Sequence, residues 1–236
     1  MGLSLFVVGK HYGAFLCDVE ENVLHKNVAC LLLLAKSGEI TVTDEHDVTH
    51  TSSVLRVKPL VKHTFTSTHP AWQIFLAPYS TFAVKLTEIE PDKDIAALSP
   101  NALPFHAAMS NEELVDILDV TSAESNVNID SRLAAVLEEM ENAKRLTSLT
   151  QVAKKHNLSA SRLRVIAHEQ IGVPLSMLIV FRKSVKAVKA LSSGATLSEA
   201  AHAGGFCDQA HFTRTVRQLY GTTPSTTVDA FAYEKE

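Results

Sequence analysis

The chain has 236 residues, of which 46% are hydrophobic and 20% charged, as is typical of a soluble globular protein with one large or two ordinary domains. Its net charge of −4 conceals an asymmetry, since residues 1–130 carry a net −9 and residues 131–236 a net +5. A basic half beside an acidic half favours a nucleic-acid module joined to a domain of another kind.

Three cysteines, Cys17, Cys30 and Cys207, are widely spaced and form no CxxC pattern. We therefore expect free thiols, and neither a disulfide framework nor a zinc site. The apolar run Leu31–Ala35 is far below the ~20 residues that span a bilayer, and no secretory signal is evident. These features predict a cytoplasmic protein with no membrane partner.

The first hundred residues contain short segments rich in β-branched, leucine and phenylalanine residues, separated by turn-forming residues. Predicted strands are Leu3–Val8, Gly13–Asp18, Ala29–Ala35, Glu39–Thr43, Ser53–Val57 and Ile74–Leu76. The tripeptide Ser37-Gly38-Glu39 predicts a hairpin between two of them. Closely spaced short strands predict a small sandwich or barrel over residues 1–100.

Residues 101–125 are predicted to form a helical connector and a linker. Asn111 is the expected N-cap of a helix with Glu112 and Glu113 in its first turn. The apolar residues of Asn111–Val120 leave two alternatives open, packing against the chain's own barrel or a dimer surface.

Residues 126–236 are predicted to be almost wholly helical. After a helix over Leu133–Ala143, capped by Asp130 or Ser131, a short helix around Val152 is followed by a turn, and a longer helix begins after Ser159 and ends before Gly172. The helical projection places Leu163, Ile166 and Ala167 inward, with Ser161, Arg162, Arg164, Val165 and His168 outward or on the flanks. An ordinary helical hairpin and a DNA-binding helix-turn-helix are equally compatible with this one unit.

The segment Leu197–Pro224 repeats the pattern, and a single helix over about Leu175–Leu191 joins the two units. The second helix of Leu197–Pro224 places Phe212, Val216 and Leu219 on one face and Ala210, Arg214 and Arg217 on the other. Two such units in the basic half favour DNA binding over two ordinary hairpins.

The C-terminal signature resembles that of the AraC/XylS family of transcriptional regulators. The resemblance is carried by Val152-Ala153, Leu158-Ser159, Arg162-Leu163, Gly172, Gly205-Phe206, Asp208–Phe212, Arg214 and Gly221–Pro224. It implies a double helix-turn-helix domain over residues 126–236 whose two recognition helices read adjacent major grooves of an operator in double-stranded DNA. Departures from the family pattern are Ala167 in place of an aromatic residue, Lys183 in place of arginine, and Thr226-Thr227 after the proline.

The same resemblance assigns site residues. Base contacts would come from Ser161, Arg164, Val165, Gln209, Ala210, Thr213 and Arg214, and phosphate contacts from Arg162, His211 and Arg217. For the N-terminal half the family implies a cupin-like barrel that binds a small-molecule effector or mediates homodimerisation. Its resemblance rests on Leu31–Leu34, Ser37–Glu39, Val57–Pro59 and His63–Phe65.

The expected fold is therefore α+β and multidomain, with a small cupin-like β-barrel or sandwich followed by an all-α domain. The N-terminal histidines lack the HxH pattern of metal-binding cupins, and we expect no metal, no cofactor and no catalytic residue. One alternative stays open at this point, a small-molecule-binding cupin or enzyme whose helical domain has lost DNA binding. A steep fall of duplex affinity with salt would separate the two.

Overall fold

The fold is described from a computed structural model, over residues 5–17, 22–106, 108–122, 129–142 and 149–224. The strands are β1 Leu5–Val8, β2 Tyr12–Cys17, β3 Cys30–Ala35, β4 Ile40–Asp44, β5 Thr49–Ser52, β6 Val54–Val57, β7 His63–Ser67, β8 Ala71–Leu76 and β9 Ile95–Ala97. The α-helices are α1 Thr81–Glu88, α2 Asn111–Thr121, α3 Ser131–Asn142, α4 Leu149–Lys155, α5 Ala160–Ile171, α6 Leu175–Ser192, α7 Leu197–Gly204 and α8 Gln209–Tyr220. The predicted order, a β-rich part followed by a helical part, is confirmed.

The strands form two antiparallel sheets. One has six strands in the order β1-β2-β8-β3-β6-β9, and the other has three in the order β5-β4-β7. The predicted hairpin at Ser37-Gly38-Glu39 is wrong, because β3 pairs with β6 and β8 while β4 pairs with β5 and β7. The turn instead carries the chain from one sheet to the other, with Gly38 at a φ of 69°.

Strand β3 is buried on both faces, which explains why it is a continuous apolar run. Leu31 and Leu33 face the smaller sheet, where they share a core with Ile40, Val42 and Phe65. Leu32 and Leu34, on the opposite face, share a second core with residues of α1 and α2. The larger sheet is therefore the central layer of the β domain.

Two helices cover the outer face of this sheet. Ser80 caps α1, and Ser110 caps α2 through a capping box with Glu113. The expected cap at Asn111 is thus wrong by one residue, because the Ser110 hydroxyl accepts the Glu113 amide. Leu114 and Leu118 of α2 are buried in the core beneath this helix, so their face packs against the chain's own sheet.

The helical part contains α3 to α8, in which α6 lies between two helix-turn-helix units. Within the described ranges no helix is both long enough and apolar enough to cross a membrane. The domain limits at residues 100 and 125 stay a prediction.

Candidate nucleic-acid interface

The first helix-turn-helix consists of α4 and α5. Ser159 Oγ accepts the Arg162 amide at 3.1 Å and so caps α5, and Gly172 ends the helix with a φ of 76°. Leu163, Ile166 and Ala167 are buried, as the helical projection predicted. Local residues therefore fix both ends and the inner face of this helix.

The outer face of α5 is exposed along its length. Ser161, Arg162, Arg164 and His168 are exposed, and Val165 is 41% exposed although it is apolar. An apolar side chain between two arginines on a free helix face suits contact with a thymine methyl beside hydrogen-bonded bases.

The second helix-turn-helix consists of α7 and α8. A capping box between Thr196 and Glu199 begins α7, and Gly205, with a φ of 75°, ends it. Asp208 Oδ1 then accepts the His211 amide at 2.7 Å and caps α8. Phe212 and Val216 are buried behind the helix, again as predicted.

The outer face of α8 presents two arginines on a free surface. Gln209, Ala210, His211, Arg214 and Arg217 are exposed, and Thr213 is half-buried. The His211 ring packs edge-on against Phe206, with 5.3 Å between the ring centroids, so its position is fixed by the preceding turn. The structure thus brings the predicted site residues onto two exposed helix faces, while their contacts with DNA stay predictions.

Helix α6 couples the two units through close packing. A Cβ atom at Gly204 would lie 2.7 Å from the Lys183 carbonyl oxygen, so α7 lies directly on α6. Lys183 Nζ also donates to the Gly205 carbonyl at 3.1 Å, which gives this lysine a structural contact. Ala167, another departure from the AraC/XylS pattern, lies fully buried in the core, whereas Thr226 and Thr227 lie outside the described residues.

The β domain packs against the end of α8, a feature that sequence reasoning missed. Asn27 Nδ2 donates to the Leu219 carbonyl at 2.9 Å, and the Val23 amide donates to the Gly221 carbonyl at 3.0 Å. Carbonyl groups at a helix C-terminus lack partners within the helix, so the β domain here supplies the missing donors.

The last residue of α8 enters an aromatic cluster shared by the two domains. The Tyr220 ring contacts Phe15 and Phe75 of the β domain and Phe181 of α6. Its hydroxyl hydrogen-bonds with Ser184 Oγ at 2.8 Å, and burial raises its pKa well above the usual value. Arg182 of α6 donates to the Tyr79 hydroxyl, adding a third hydrogen bond between the domains.

Beside these contacts a cleft of about 600 Å³ lies between the domains. Met177, Val180 and Leu219 line it from the helical side, and Leu24, His25, Lys26 and Lys62 from the β domain. This volume lies in the range of small-molecule sites, which combine apolar walls with a few polar groups. No sequence motif marked these residues, because they converge only in the folded chain.

Comparison with known proteins gives a matching domain and a fold. Residues 152–230 match the helix-turn-helix domain family, and no curated protein matches. A 1.65 Å structure of ToxT from Vibrio cholerae is 12% identical, with a TM-score of 0.56 over 93% of this chain and 98% of that one.

Two ligand complexes of ToxT from Vibrio cholerae have the same fold. The complex with an unsaturated fatty acid is 12% identical, with a TM-score of 0.52 over 96% of this chain and 95% of that one. The complex with (E)-4-(8-methylnaphthalen-1-yl)but-3-enoic acid is 11% identical, with a TM-score of 0.56 over 94% and 99%. Residues 152–230 therefore match a helix-turn-helix domain, and the chain has a ToxT-like fold in which a β domain precedes two helix-turn-helix units.

Proposed function

We propose that the protein is a sequence-specific DNA-binding transcriptional regulator, in which α5 and α8 enter adjacent major grooves of one operator. The observation that carries this proposal is the repeated surface of the helical domain, where each helix-turn-helix exposes arginines in front of a buried apolar face. A second helix of this kind, held by a tight turn, is the element that enters a major groove.

The exposed side chains divide into two roles. We assign base contacts to Ser161, Arg164, Val165, Gln209, Ala210, Thr213 and Arg214, and phosphate contacts to Arg162, His211 and Arg217. Arginine pairs with guanine O6 and N7 and glutamine with adenine, whereas phosphate contacts position the protein without reading sequence. Because one chain carries both helices, one copy suffices for one operator, and a homodimer would occupy two.

Selection of duplexes from a random pool, followed by affinity measurement at several salt concentrations, tests the proposal. We expect one enriched, non-palindromic motif and a linear fall of log affinity with log salt, with a slope of about −0.9 per phosphate contact. An unenriched pool would contradict sequence-specific binding, and an affinity independent of salt would contradict the assigned phosphate contacts.

We further propose that the cleft between the domains binds an effector, an organic acid with an apolar body. Met177 and Val180 offer an apolar wall, and two lysines stand on the opposite side. Lys62 pairs with Glu45 at 2.6 Å, whereas no ion pair of Lys26 is found in the described part of the chain. Lys26 is thus the side chain best placed to receive a carboxylate, and ToxT, with the same fold, binds acids of this class.

Titration of the full chain with oleate, read by thermal shift and by operator affinity, tests the effector site. We expect oleate to raise the melting temperature of the native chain and to change operator affinity. Lys26→Gln should weaken the oleate response about tenfold or more, since it removes a charged partner, whereas Lys85→Gln, at an exposed position of α1, should not. An equal response in both variants would contradict the assignment.

A further inference from the structure

Two buried histidines lie side by side where the β domain meets the end of α8. His25 and His63 form a backbone bridge, with N–O distances of 3.1 and 2.9 Å, and their ring centroids are 4.4 Å apart. The two residues are only 4% and 1% exposed. His63 lies in a segment that resembles the cupin-like barrel, but that resemblance assigns neither histidine a role, and the proposed DNA contacts do not use them.

Backbone carbonyls fix the tautomer of both neutral rings. His25 Nδ1 lies 3.0 Å from the Val23 carbonyl, and His63 Nδ1 lies 3.0 Å from the Val61 carbonyl. Since a carbonyl oxygen only accepts, each Nδ1 must carry the hydrogen, and each neutral ring leaves Nε2 bare. Both Nε2 atoms are buried, and neither has a hydrogen-bond partner among the described residues.

The surroundings offer little to compensate a positive charge on either ring. Beside His25 the cleft carries Lys26 and Lys62, and the residues that α6 and α8 contribute to it are uncharged. Glu45 is paired with Lys62. Asp44 lies opposite His63 in the register of β4 and β7, and its Oδ1 accepts the amides of His46 and Val48 in its own turn.

His25 also touches the residue that ends α8. A Cβ atom at Gly221 would lie 2.6 Å from His25 Nδ1 and 2.7 Å from the Val23 carbonyl oxygen. The same Gly221 accepts the Val23 amide. A displacement of the His25 ring therefore acts directly on the contact between the domains.

We propose that the His25–His63 pair is a pH-sensitive lock, which holds the second helix-turn-helix on the β domain at neutral pH and releases it on acidification. The inference rests on the proposed function, since it makes release a means of regulating the DNA-reading unit. It does not depend on the effector cleft being occupied.

Acidification weakens docking because the released state binds protons more readily than the docked state. Burial lowers the pKa of His25 to about 3, with His63 as the next cause, and burial also lowers the pKa of His63. In the released state both rings are hydrated and titrate near ~6.5. The docking equilibrium is therefore undiminished above pH ~6.5 and weakens as the pH falls toward the lowered pKa values of the docked histidines. Between pH 7.5 and 5.5 the docking constant should fall about tenfold for each histidine.

Amide hydrogen exchange of the full chain without DNA tests the lock at these two pH values. After correction for the intrinsic pH dependence of exchange, we expect the protection factor of the Val23 amide to fall about a hundredfold at pH 5.5. An unchanged protection factor would overturn the proposal. So would NMR titration of either ring near ~6.5 in the docked protein.

Matched variants separate the pair from the other histidines. The double variant His25→Gln/His63→Gln should abolish the pH dependence of the Val23 protection factor. His63→Gln alone should leave a change of about tenfold, and this single variant keeps the test decisive if the double variant fails to fold. His46→Gln, in an exposed turn, should retain the full effect. Operator binding at pH 7.5 tests the proposed function separately, because it can fail while the exchange result stands.

Discussion

Arg214 and Arg217 lie one turn apart on the exposed face of α8, yet we expect them to act differently on DNA. Arg214→Ala should cost about 1–3 kcal/mol against one base pair of the operator and relax discrimination there. Arg217→Ala should instead weaken all duplexes alike and reduce the salt slope by about 1. Affinities for the operator, single-base variants and random duplex measure both effects, and equal losses on every duplex for Arg214→Ala would remove its base-reading role.

The glycines that end the two recognition helices allow a matched comparison, because only one of them lies at the contact between the domains. Gly172 and Gly221 have φ values of 76° and 71°, so alanine at either costs about 1–2 kcal/mol of backbone strain. A Cβ atom at Gly172 would meet no atom within 4 Å, whereas one at Gly221 would clash with His25 and Val23. We expect Gly221→Ala to cost about 1–3 kcal/mol more, with loss of domain docking.

Denaturant unfolding followed by helical circular dichroism measures the stability difference between the two glycine variants. Exchange of the Val23 amide reports docking, because this amide donates to Gly221. Equal destabilisation, with that amide still protected in Gly221→Ala, would mean that the β domain does not constrain the end of α8.

Residues with local tasks were predictable from the sequence, and those with distant partners were not. Ser159, Gly172 and Gly221 act on their own helix, so spacing along the chain sufficed to place them. His25 and His63 are 38 positions apart and meet only through an isolated bridge between the His25 segment and β7. No local pattern could have indicated that pair.

At the scale of elements, the N-caps of the two recognition helices predict separate effects on the two half-sites. Asp208→Ala removes the acceptor of the His211 amide and should destabilise α8 by about 1 kcal/mol. Ser159→Ala should do the same to α5. We expect each variant to weaken nuclease protection over one half of the operator, and over different halves.

Asp208→Asn is the control for the second half-site, because asparagine caps a helix as well as aspartate does. It should retain the protection that Asp208→Ala loses. If both Asp208 variants lost protection equally, the carboxylate itself and not the cap would matter for DNA binding.

Helices were predicted more completely than strands because their signals lie within one segment. Helix α6 was expected over Leu175–Leu191 and is found over Leu175–Ser192. Strands β5 and β7 were missed as strands, because threonine and histidine fill them. The alternation Thr64-Phe65-Thr66, with only Phe65 buried, was the signal that could have indicated β7.

At the scale of the whole molecule, the two domains share one hydrophobic core. Phe75 and Val42 of the sheets belong to the same cluster as Phe181 and Tyr220 of the helical domain. An effector in the cleft or protonation of the histidine pair would change this boundary. Either change thus acts on the end of α8, the second recognition helix. The sequence predicted two domains and their order, but not this joint core, which depends on how the two surfaces meet.

The length and packing of α6 fix the distance between the two recognition helices, α5 and α8. With 18 residues the helix spans on the order of 27 Å, compatible with recognition helices about 34 Å apart once their lateral offsets are included. Because α7 packs directly on α6 at Gly204, the second helix-turn-helix cannot swing freely about this connection.

We therefore expect the operator to tolerate no change of spacing between its half-sites. Insertion of 5 base pairs between them rotates one half-site to the far side of the duplex, and only one helix can then bind, so affinity should fall about 10²–10⁴-fold. Insertion of 10 base pairs restores the phase but not the distance, and a rigid α6 predicts a comparable loss. The same 5 base pairs placed outside the operator should leave affinity unchanged in gel-shift measurements. Recovery of affinity with the 10-base-pair insertion would show that the helix-turn-helix units are flexibly joined, contrary to the packing of α7 on α6.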